Sequence, residues 1–177
     1  MSETILLADA SQSEAIAALV NKAYRPDASS RGWTHESDLV AGDRTSPEQV
    51  AQQMGPQSPV LVAVRQGEIV ACVQVTHDES DCWIGMLATV PSEQNLGMGK
   101  KMLMAAEAFA VEHFRPNRLM MSVLSSRSEL LGFYQRRGYQ LTGRTTAYPI
   151  EAGVGTPLVS ELQVLELSKA PPASSKN

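Results

Sequence analysis

The 177-residue chain is long enough for one domain with a sizeable hydrophobic core. Its hydrophobic fraction of 43% and charged fraction of 19% are ordinary for a globular protein. The formal net charge of -4 excludes a strongly basic nucleic-acid-binding surface. No apolar run reaches the ~18 residues of a membrane-spanning helix. The N-terminus "MSETILLADA" lacks the basic segment of a signal peptide, so we expect a cytoplasmic protein.

The two cysteines, Cys72 and Cys82, have no CxxC or metal-ligand spacing. Both fall in strand-like apolar runs, which predicts reduced thiols in the core and no metal. The last residues, "APPASSKN", are rich in proline and serine and predict a disordered tail over residues 170–177. The expected organisation is one domain over residues 1–169.

The first predicted elements are a strand at "ILLA" and a helix at "SEAIAALVNKAY", residues 13–24. A long polar stretch follows over residues 25–45, which predicts a partly helical lid or a binding loop. "SPEQVAQQM" predicts a short helix with Ser46 as N-cap and Pro47 in its first position.

The next segment, "PVLVAVRQGEIVACVQV", predicts two strands joined by a tight turn at Gln66 and Gly67. "DCWIGMLATV" is almost entirely apolar, so we expect a strand buried on both faces. The chain then continues with a helix to about Phe114 and a buried strand, "RLMMSVLSS". These are followed by a helix, "SELLGFYQRRG", which Gly138 closes, and by the last strands, "YQLTGRTTAY" and "ELQVLELSK". The order predicts an α/β fold with a mixed, mostly antiparallel central sheet and helices on both faces.

The segment "QNLGMGKKM", residues 94–102, places Gly97 and Gly99 at the start of a helix. A helix N-terminus carries unpaired N–H groups and partial positive charge, and glycine allows an anion to approach closely. The N–H groups of residues 95–100 are therefore a candidate phosphate site, whereas the alternative is a flexible entry loop with solvated lysines. Gln94 and Lys101 exclude a P-loop, and Met102 excludes the dinucleotide fingerprint.

The stretch "LATVPSEQNLGMGKKMLMAAEAF" resembles the acetyl-CoA-binding motif of the GNAT superfamily of N-acetyltransferases. Gln94, Gly97 and Gly99 match its Q-x-x-G-x-G core, and Pro91 matches its proline. The later "GFYQRRGY" resembles a second GNAT signature, [FL]-Y-x-x-x-G-[FY]. The specific resemblance covers roughly residues 59–145, and the N-terminal third agrees only in the order of its elements.

The resemblance implies an acyl-CoA N-acyltransferase fold that uses acetyl-CoA as co-substrate. It implies that the strand before the glycines splays from its neighbour and pairs with the pantetheine arm, and that backbone N–H groups of the loop hold the pyrophosphate. The resemblance implies these cofactor-binding residues on the strand and the glycine loop: Leu87, Ala88, Thr89, Gln94, Asn95, Leu96, Gly97, Met98, Gly99 and Lys100. Lys100 is equally compatible with a solvated side chain.

The implied reaction is direct attack of an amine on the thioester, with Tyr134 as proton donor to the leaving thiolate. The alternative is that Tyr134 only packs beside Phe133. The chain departs from the family at two positions: Ser122 stands where many members carry a glutamate base, and Arg127 where others carry asparagine. Freeing a lysine-like amine from its proton at pH 7 costs about 4.6 kcal/mol, so such an acceptor needs a base.

The resemblance places the acceptor site after the first helix, where the segment holds Trp33, Glu36 and Arg44. Glu36 is the first candidate for amine recognition or general base, and Arg44 could pair with an acceptor carboxylate or be solvated. Trp33 either faces the substrate or clamps the loop onto the core.

The expected partner is a small-molecule or peptide amine, with a homodimer as a candidate assembly and no nucleic acid, membrane or metal. Two alternatives remain beside an acetyltransferase: a transferase that uses another acyl-CoA such as succinyl-CoA, and a catalytically silent acetyl-CoA-binding or regulatory module.

Overall fold

The computed structural model of the chain describes residues 3–24, 40–41, 44–93, 97–147, 156–157 and 163–172. The strands are β1 Thr4–Leu7, β2 Val40–Ala41, β3 Val60–Arg65, β4 Glu68–Asp78, β5 Asp81–Thr89, β6 Arg118–Leu124, β7 Gln140–Ala147, β8 Thr156–Pro157 and β9 Gln163–Lys169. The helices are α1 Ser13–Tyr24, α2 Pro47–Gln53, α3 Met98–Phe114 and α4 Ser128–Gln135, with 3-10 turns at Ala10–Gln12 and Pro91–Glu93.

The central sheet has seven strands in the order β1-β3-β4-β5-β6-β9-β7. Every neighbouring pair is antiparallel except β5 and β6, which are connected through α3 and run parallel. The expected mixed, mostly antiparallel sheet is therefore confirmed. A small antiparallel pair of β2 and β8, which the sequence did not predict, lies outside this sheet.

Helices cover both faces of the sheet, and the two faces have separate apolar cores. On one face, the strands β4, β5 and β6 pack against α3 through side chains such as Val73, Ile84 and Met121. On the other face, Val60, Val62 and Cys72 belong to a core shared with α1 and α2. We call these the α3 face and the α1 face. Successive side chains on a strand alternate between the two.

Local signals explain where several elements begin and end. The side chain of Ser46 accepts a hydrogen bond from the Gln49 N–H at 3.2 Å, and Pro47 occupies the first turn of α2. Gln66 and Gly67 have φ values of 54° and 80°, as a two-residue hairpin turn requires. Both cysteines are buried and unpaired, and burial raises the pKa of Cys72 to about 12 and of Cys82 to about 11.

The prediction that β5 is buried on both faces is wrong. Trp83 and Leu87 are only partly buried and Gly85 is exposed, whereas their neighbours Cys82, Ile84 and Met86 are buried. The sequence does not reveal this alternation, because the residues on the exposed side of β5 are also apolar. That side of the strand faces a cleft and not the packed interior. Among the described residues, no helix is long and apolar enough to cross a membrane.

Candidate active site

The cleft forms where β5 and β6 separate. Their parallel pairing covers only Asp81 with Arg118, Cys82 with Leu119, and Trp83 with Met120. Both strands continue for several residues beyond this point without pairing to each other, so the sheet opens in its middle. A cavity of about 440 Å³ occupies the opening. Among the described residues, it is lined by Tyr24, Arg44, Gln74, Thr76, Trp83, Ile84, Gly85, Met86, Leu87, Met121, Ser122, Val123, Leu124, Arg127, Leu130, Tyr134, Thr146 and Val164.

A β-bulge shapes one wall of the cleft. Cys72 pairs with Ala88 and Gln74 pairs with Gly85, so both Met86 and Leu87 oppose the single residue Val73. Met86 takes a left-handed φ of 52° at this irregularity. A bulge bends the strand and leaves backbone groups outside the ladder, and here it does so at the mouth of the gap between β5 and β6. The Leu87 carbonyl accepts a hydrogen bond from the Tyr24 hydroxyl at 2.6 Å.

Tyr134 lies on α4 with 7% of its surface exposed, and it lines the cleft. The rings of Phe133 and Tyr139 lie edge-on to it, with centroid distances of 5.4 and 6.2 Å. Burial raises the pKa of Tyr134 well above its usual value, and the neighbouring Tyr24 adds to this, while Arg127 acts in the opposite direction. The phenol is therefore protonated across the neutral pH range and can donate a proton.

The glycine segment opens α3 at the α3 face. Gly97 is the N-cap with a left-handed φ of 83°, and the first backbone hydrogen bond of the helix runs from the Lys101 N–H to the Gly97 carbonyl at 3.0 Å. The N–H groups of Met98, Gly99 and Lys100 thus belong to the first turn, where such groups have no partner within the helix. Left-handed backbone is required only at Gly97.

Gly99 adopts helical geometry, and a Cβ placed on it would lie 3.8 Å from the Phe133 ring, an ordinary contact. Glycine at this position is therefore not needed by the fold itself. The Met98 side chain is buried in the core, so only its backbone is available to a ligand, while Lys100 is exposed. Gln94, Asn95 and Leu96 lie outside the described residues.

An ionic network connects the two ends of the glycine segment. Glu3 contacts both Lys101 and Arg65, and Arg65 in turn donates to Glu93 at 2.6 Å. Hydrogen bonds from Lys101 and Arg65 lower the pKa of Glu3 to about 2. Lys101 is thus directed toward β1, whereas Lys100 is not part of this network.

Of the three predicted acceptor-binding residues, Arg44 lies in the cleft. Its guanidinium is 5.8 Å from the centroid of the Tyr24 ring. Its backbone N–H donates a hydrogen bond to the Asn21 side-chain oxygen at 2.8 Å. The predicted residues Trp33 and Glu36 lie outside the described part of the chain. Ser122 and Arg127, the two departures from the family pattern, both line the cleft, and Arg127 is only 8% exposed.

Most of the cleft-lining residues were not predicted from the sequence, and they include Tyr24, Gln74, Thr76 and Trp83. A signal was nevertheless present in "VACVQVTHD", where Gln74 and Thr76 place polar groups at alternate positions of an otherwise apolar strand. Alternate residues of a strand lie on the same face, so polar residues at two alternate positions indicate that this face of the sheet contacts solvent. Within the described ranges, no group of three or more His, Cys, Asp or Glu is placed to hold a metal ion.

Comparison with known proteins agrees with this geometry. A model of the acetyltransferase (GNAT) family matches residues 18–139, and the chain belongs to that family. Its seven-stranded sheet, with helices on both faces, is the fold of solved GNAT acetyltransferases.

Among solved structures, the ribosomal-protein-S18-alanine N-acetyltransferase from Escherichia coli has a TM-score of 0.70 at 14% identity, covering 99% of this chain and 97% of that one. An N-acetyltransferase from Staphylococcus aureus Mu50 has a TM-score of 0.71 at 13% identity, covering 96% and 98%. A GNAT family acetyltransferase from Elizabethkingia anophelis with acetyl-CoA bound has a TM-score of 0.61 at 20% identity, covering 75% and 88%. At these identities the likeness shows the fold.

A curated relative is the uncharacterized protein YdhI of Bacillus subtilis (strain 168), which is 34% identical over 74 residues. The match covers 42% of this chain and spans less than half, 44%, of the relative.

Proposed function

We propose that the chain is an N-acetyltransferase that moves the acetyl group of acetyl-CoA to a primary amine by direct attack. The observation that carries the proposal is the gap between β5 and β6. Tyr134 lines this gap, and the unpaired end of β5 leads through the turn Pro91–Glu93 to the start of α3. A thioester threaded through this gap would meet a phosphate-binding helix start at one end and an open acceptor surface at the other.

Acetyl-CoA binding is assigned chiefly to backbone groups. The pyrophosphate is placed against the first turn of α3, where N–H groups and the helix dipole favour an anion. The pantetheine arm is placed along the edge of β5 at Leu87, Ala88 and Thr89. Ala88 and Thr89 pair with β4 on one side, and β6 has already separated on the other. Gln94, Asn95 and Leu96 complete the proposed cofactor set by sequence.

The proposed chemistry forms one C–N bond and breaks one C–S bond. The neutral amine attacks the thioester carbon, and we assign polarisation of the thioester carbonyl to backbone N–H groups at the bulge of Met86 and Leu87. As the intermediate collapses, Tyr134 gives its proton to the CoA sulfur and regains one from the nitrogen. The products are an N-acetylated amine and free CoA, so no proton is gained or lost overall from a neutral amine.

The raised pKa of Tyr134 fits a donor because the leaving thiolate forms in the same buried environment. Unperturbed values near 10 for a phenol and 8.5 for a thiol make the transfer unfavourable by about 2 kcal/mol. Burial disfavours the charged form of both groups, so the thiolate gains proton affinity together with the phenol. The free energy of the proton transfer depends on the difference between the pKa of the tyrosine and the pKa of the CoA thiol, and not on the tyrosine pKa alone.

The amine must lose its proton before it attacks. Among the described residues that line the cleft, none is a carboxylate or an imidazole. We therefore keep Glu36 as the candidate base, with Trp33 and Arg44 beside it in the proposed acceptor site, and solvent as the alternative route.

The test is calorimetric titration with acetyl-CoA followed by a thiol-release assay with a panel of amines. We expect micromolar to submillimolar binding and CoA release that depends on the acceptor. Binding without release from any amine would favour a catalytically silent module. Release from succinyl-CoA in preference to acetyl-CoA would correct the acyl group, and the absence of CoA binding would refute the proposal.

A further inference from the structure

Side chains of two different elements hold the backbone carbonyls of the β5 bulge. The Tyr24 hydroxyl, at the end of α1, donates a hydrogen bond to the Leu87 carbonyl at 2.6 Å. The Cys72 thiol, on β4, donates a hydrogen bond to the Met86 carbonyl at 3.4 Å. Burial raises the pKa of Cys72 to about 12, so the thiol is protonated and can donate at neutral pH. Both carbonyls of the bulge are therefore bonded to groups of this chain.

The register with β4 shows why the Leu87 carbonyl is within reach of Tyr24. The Val90 N–H donates to the Val70 carbonyl at 3.0 Å, and hydrogen-bonded pairs alternate along an antiparallel ladder. The next such pair is Cys72 with Ala88, so the Ala88 N–H faces β4. The Leu87 carbonyl belongs to the same trans peptide group as this N–H and points in the opposite direction, toward the side where β6 has separated.

The Leu87 N–H belongs to the preceding peptide group, whose carbonyl is that of Met86. No described peptide bond is cis, and in a trans peptide the N–H and the C=O point in opposite directions. Because the Met86 carbonyl is turned toward Cys72 on β4, the Leu87 N–H points away from β4 and into the opening. Leu87 is part of neither the β4 register nor the β5–β6 pairing, so this N–H lies outside the ladder.

The bulge needs support from its surroundings because its backbone is strained. Met86 has a left-handed φ of 52°, which is uncommon for a residue with a long side chain. Backbone of this kind persists only where the surrounding structure holds it in place. The Tyr24 ring packs against the core of the α1 face, so its hydroxyl connects the bulge to a fixed part of the protein.

We infer that Tyr24 is a positioning residue for acetyl transfer, and that with Cys72 it holds the bulge so that the Leu87 N–H faces the thioester carbonyl oxygen. The inference rests on the proposed acetyltransferase function and names a residue that serves it. An N–H fixed before the reaction stabilises the negative charge that develops on this oxygen during attack, because no dipole has to be reoriented. The acid that protonates the sulfur remains Tyr134.

The test measures polarisation of the thioester directly and needs no acceptor. Acetyl-CoA with an isotopic label at the thioester carbonyl carbon is bound to the chain, and isotope-edited infrared spectroscopy gives the stretching frequency of this carbonyl. In the unsubstituted chain we expect a lower frequency than in free acetyl-CoA. Tyr24→Phe keeps the ring and removes the hydroxyl, and it should reduce this shift by about half or more. In the thiol-release assay kcat should fall by about tenfold or more, with the acetyl-CoA Kd within about threefold.

Two other tyrosines provide matched controls, because each substitution by phenylalanine removes the same hydroxyl. Tyr134→Phe should lower kcat and leave the carbonyl frequency unchanged, since this phenol is assigned to the sulfur. Tyr139→Phe loses a buried hydrogen bond to Glu107 and should also leave the frequency unchanged. An equal loss of the shift in all three variants would indicate a general effect of packing and would contradict the inference.

A second substitution reaches the same bulge from β4. Cys72→Ala removes the hydrogen bond to the Met86 carbonyl and keeps a small apolar side chain, and it should also reduce the infrared shift. If Tyr24→Phe does not fold, this variant decides: a folded Cys72→Ala protein with the full shift counts against the inference, and one with a reduced shift supports it.

The outcomes separate the inference from the proposed function. If Tyr24→Phe retains the full carbonyl shift, or if the unsubstituted chain binds acetyl-CoA without any shift, the inference is wrong and acetyl transfer still stands. If Tyr24→Phe weakens acetyl-CoA binding about tenfold and leaves the shift unchanged, the hydroxyl serves binding and the inference is again wrong. Failure of the unsubstituted chain to bind acetyl-CoA would refute the proposed function itself, and the inference with it.

Discussion

Two buried tyrosines near α4 have different surroundings and should have different roles. The Tyr139 hydroxyl donates to Glu107 at 2.8 Å, and Lys169 donates to the same carboxylate at 2.9 Å. Tyr134 lines the cleft, and within the described part of the chain its hydroxyl makes no hydrogen bond. One phenol is therefore fixed in a buried polar cluster, and the other is available to a substrate.

Tyr134→Phe should lower kcat by roughly 10²-fold, because a general acid is lost from the transition state. The acetyl-CoA Kd should change little, and so should the thermal stability, since the ring still packs against Phe133 and Tyr139. The measurement is steady-state kinetics with calorimetric binding of acetyl-CoA.

Tyr139→Phe is the matched control and should show the opposite result. It removes a hydrogen bond to a buried carboxylate, which costs about 1.5–3 kcal/mol of stability, and should leave kcat within a factor of two or three. Equal losses of kcat in the two variants would mean that the phenotype arises from packing and not from proton donation.

Residue-scale prediction from the sequence succeeded where a local motif existed and stopped where tertiary structure was needed. Tyr134 lies in "GFYQRRGY", and the structure places it on the cleft wall. Tyr24 ends a helix whose periodicity predicts only its packing face, and its hydrogen bond to Leu87 joins residues 63 positions apart. The spacing of residues in the sequence does not predict a contact between residues so far apart in the chain. The roles of the predicted site residues remain predictions.

At the scale of elements, the sequence predicted α1 with the bounds that the structure shows, because the apolar residues of this segment recur at helical spacing. The open side of β5 was not predicted. An apolar strand that faces a cleft and one that faces a core have the same composition, and only the early end of the β5–β6 pairing distinguishes them. The bulge at Met86 and Leu87 likewise depends on the register with β4.

The two glycines that open α3 should respond differently to substitution. Gly97→Ala places a side chain on left-handed backbone and should cost about 1–2 kcal/mol of stability. Gly99→Ala has room and helical geometry, so the thermal stability should stay equal or rise. If a phosphate lies against this turn, the added methyl should nevertheless raise the acetyl-CoA Kd at least tenfold, or about 1.4 kcal/mol.

Thermal unfolding and calorimetric titration of the same samples separate these effects. A Gly99→Ala protein that is as stable as the unsubstituted chain and binds acetyl-CoA equally well would place the phosphates elsewhere. Ala108→Gly is a useful reference within the same helix, since this exposed position has no proposed contact with a ligand and reports helix propensity alone.

At the scale of the whole molecule, the opened sheet lies between the proposed cofactor side and the proposed acceptor side. Tyr134 lines this opening, and Tyr139 lies behind it, with the two ring centroids 6.2 Å apart. Burial raises the pKa of Tyr134 and of Tyr139 above the unperturbed value near 10, and the Glu107 carboxylate raises that of Tyr139 further. The folded chain therefore holds two protons that the unfolded chain releases above about pH 10.

This difference predicts a steep loss of stability in alkali. A group whose folded pKa is raised contributes stability that is fully present below its unfolded pKa and is lost as the pH rises toward its folded pKa. Above pH 10, each tyrosine should lower the free energy of unfolding by about 1.4 kcal/mol per pH unit.

The measurement is urea unfolding between pH 8 and 11.5. The free energy of unfolding should stay constant at first and then fall with pH, with a slope that corresponds to about two protons. Tyr134→Phe and Tyr139→Phe should each reduce that slope by about one proton, because the phenylalanine has nothing to titrate. A slope that neither substitution alters would show that other groups, such as partly buried lysines, govern alkaline unfolding and that the tyrosines titrate alike in both states.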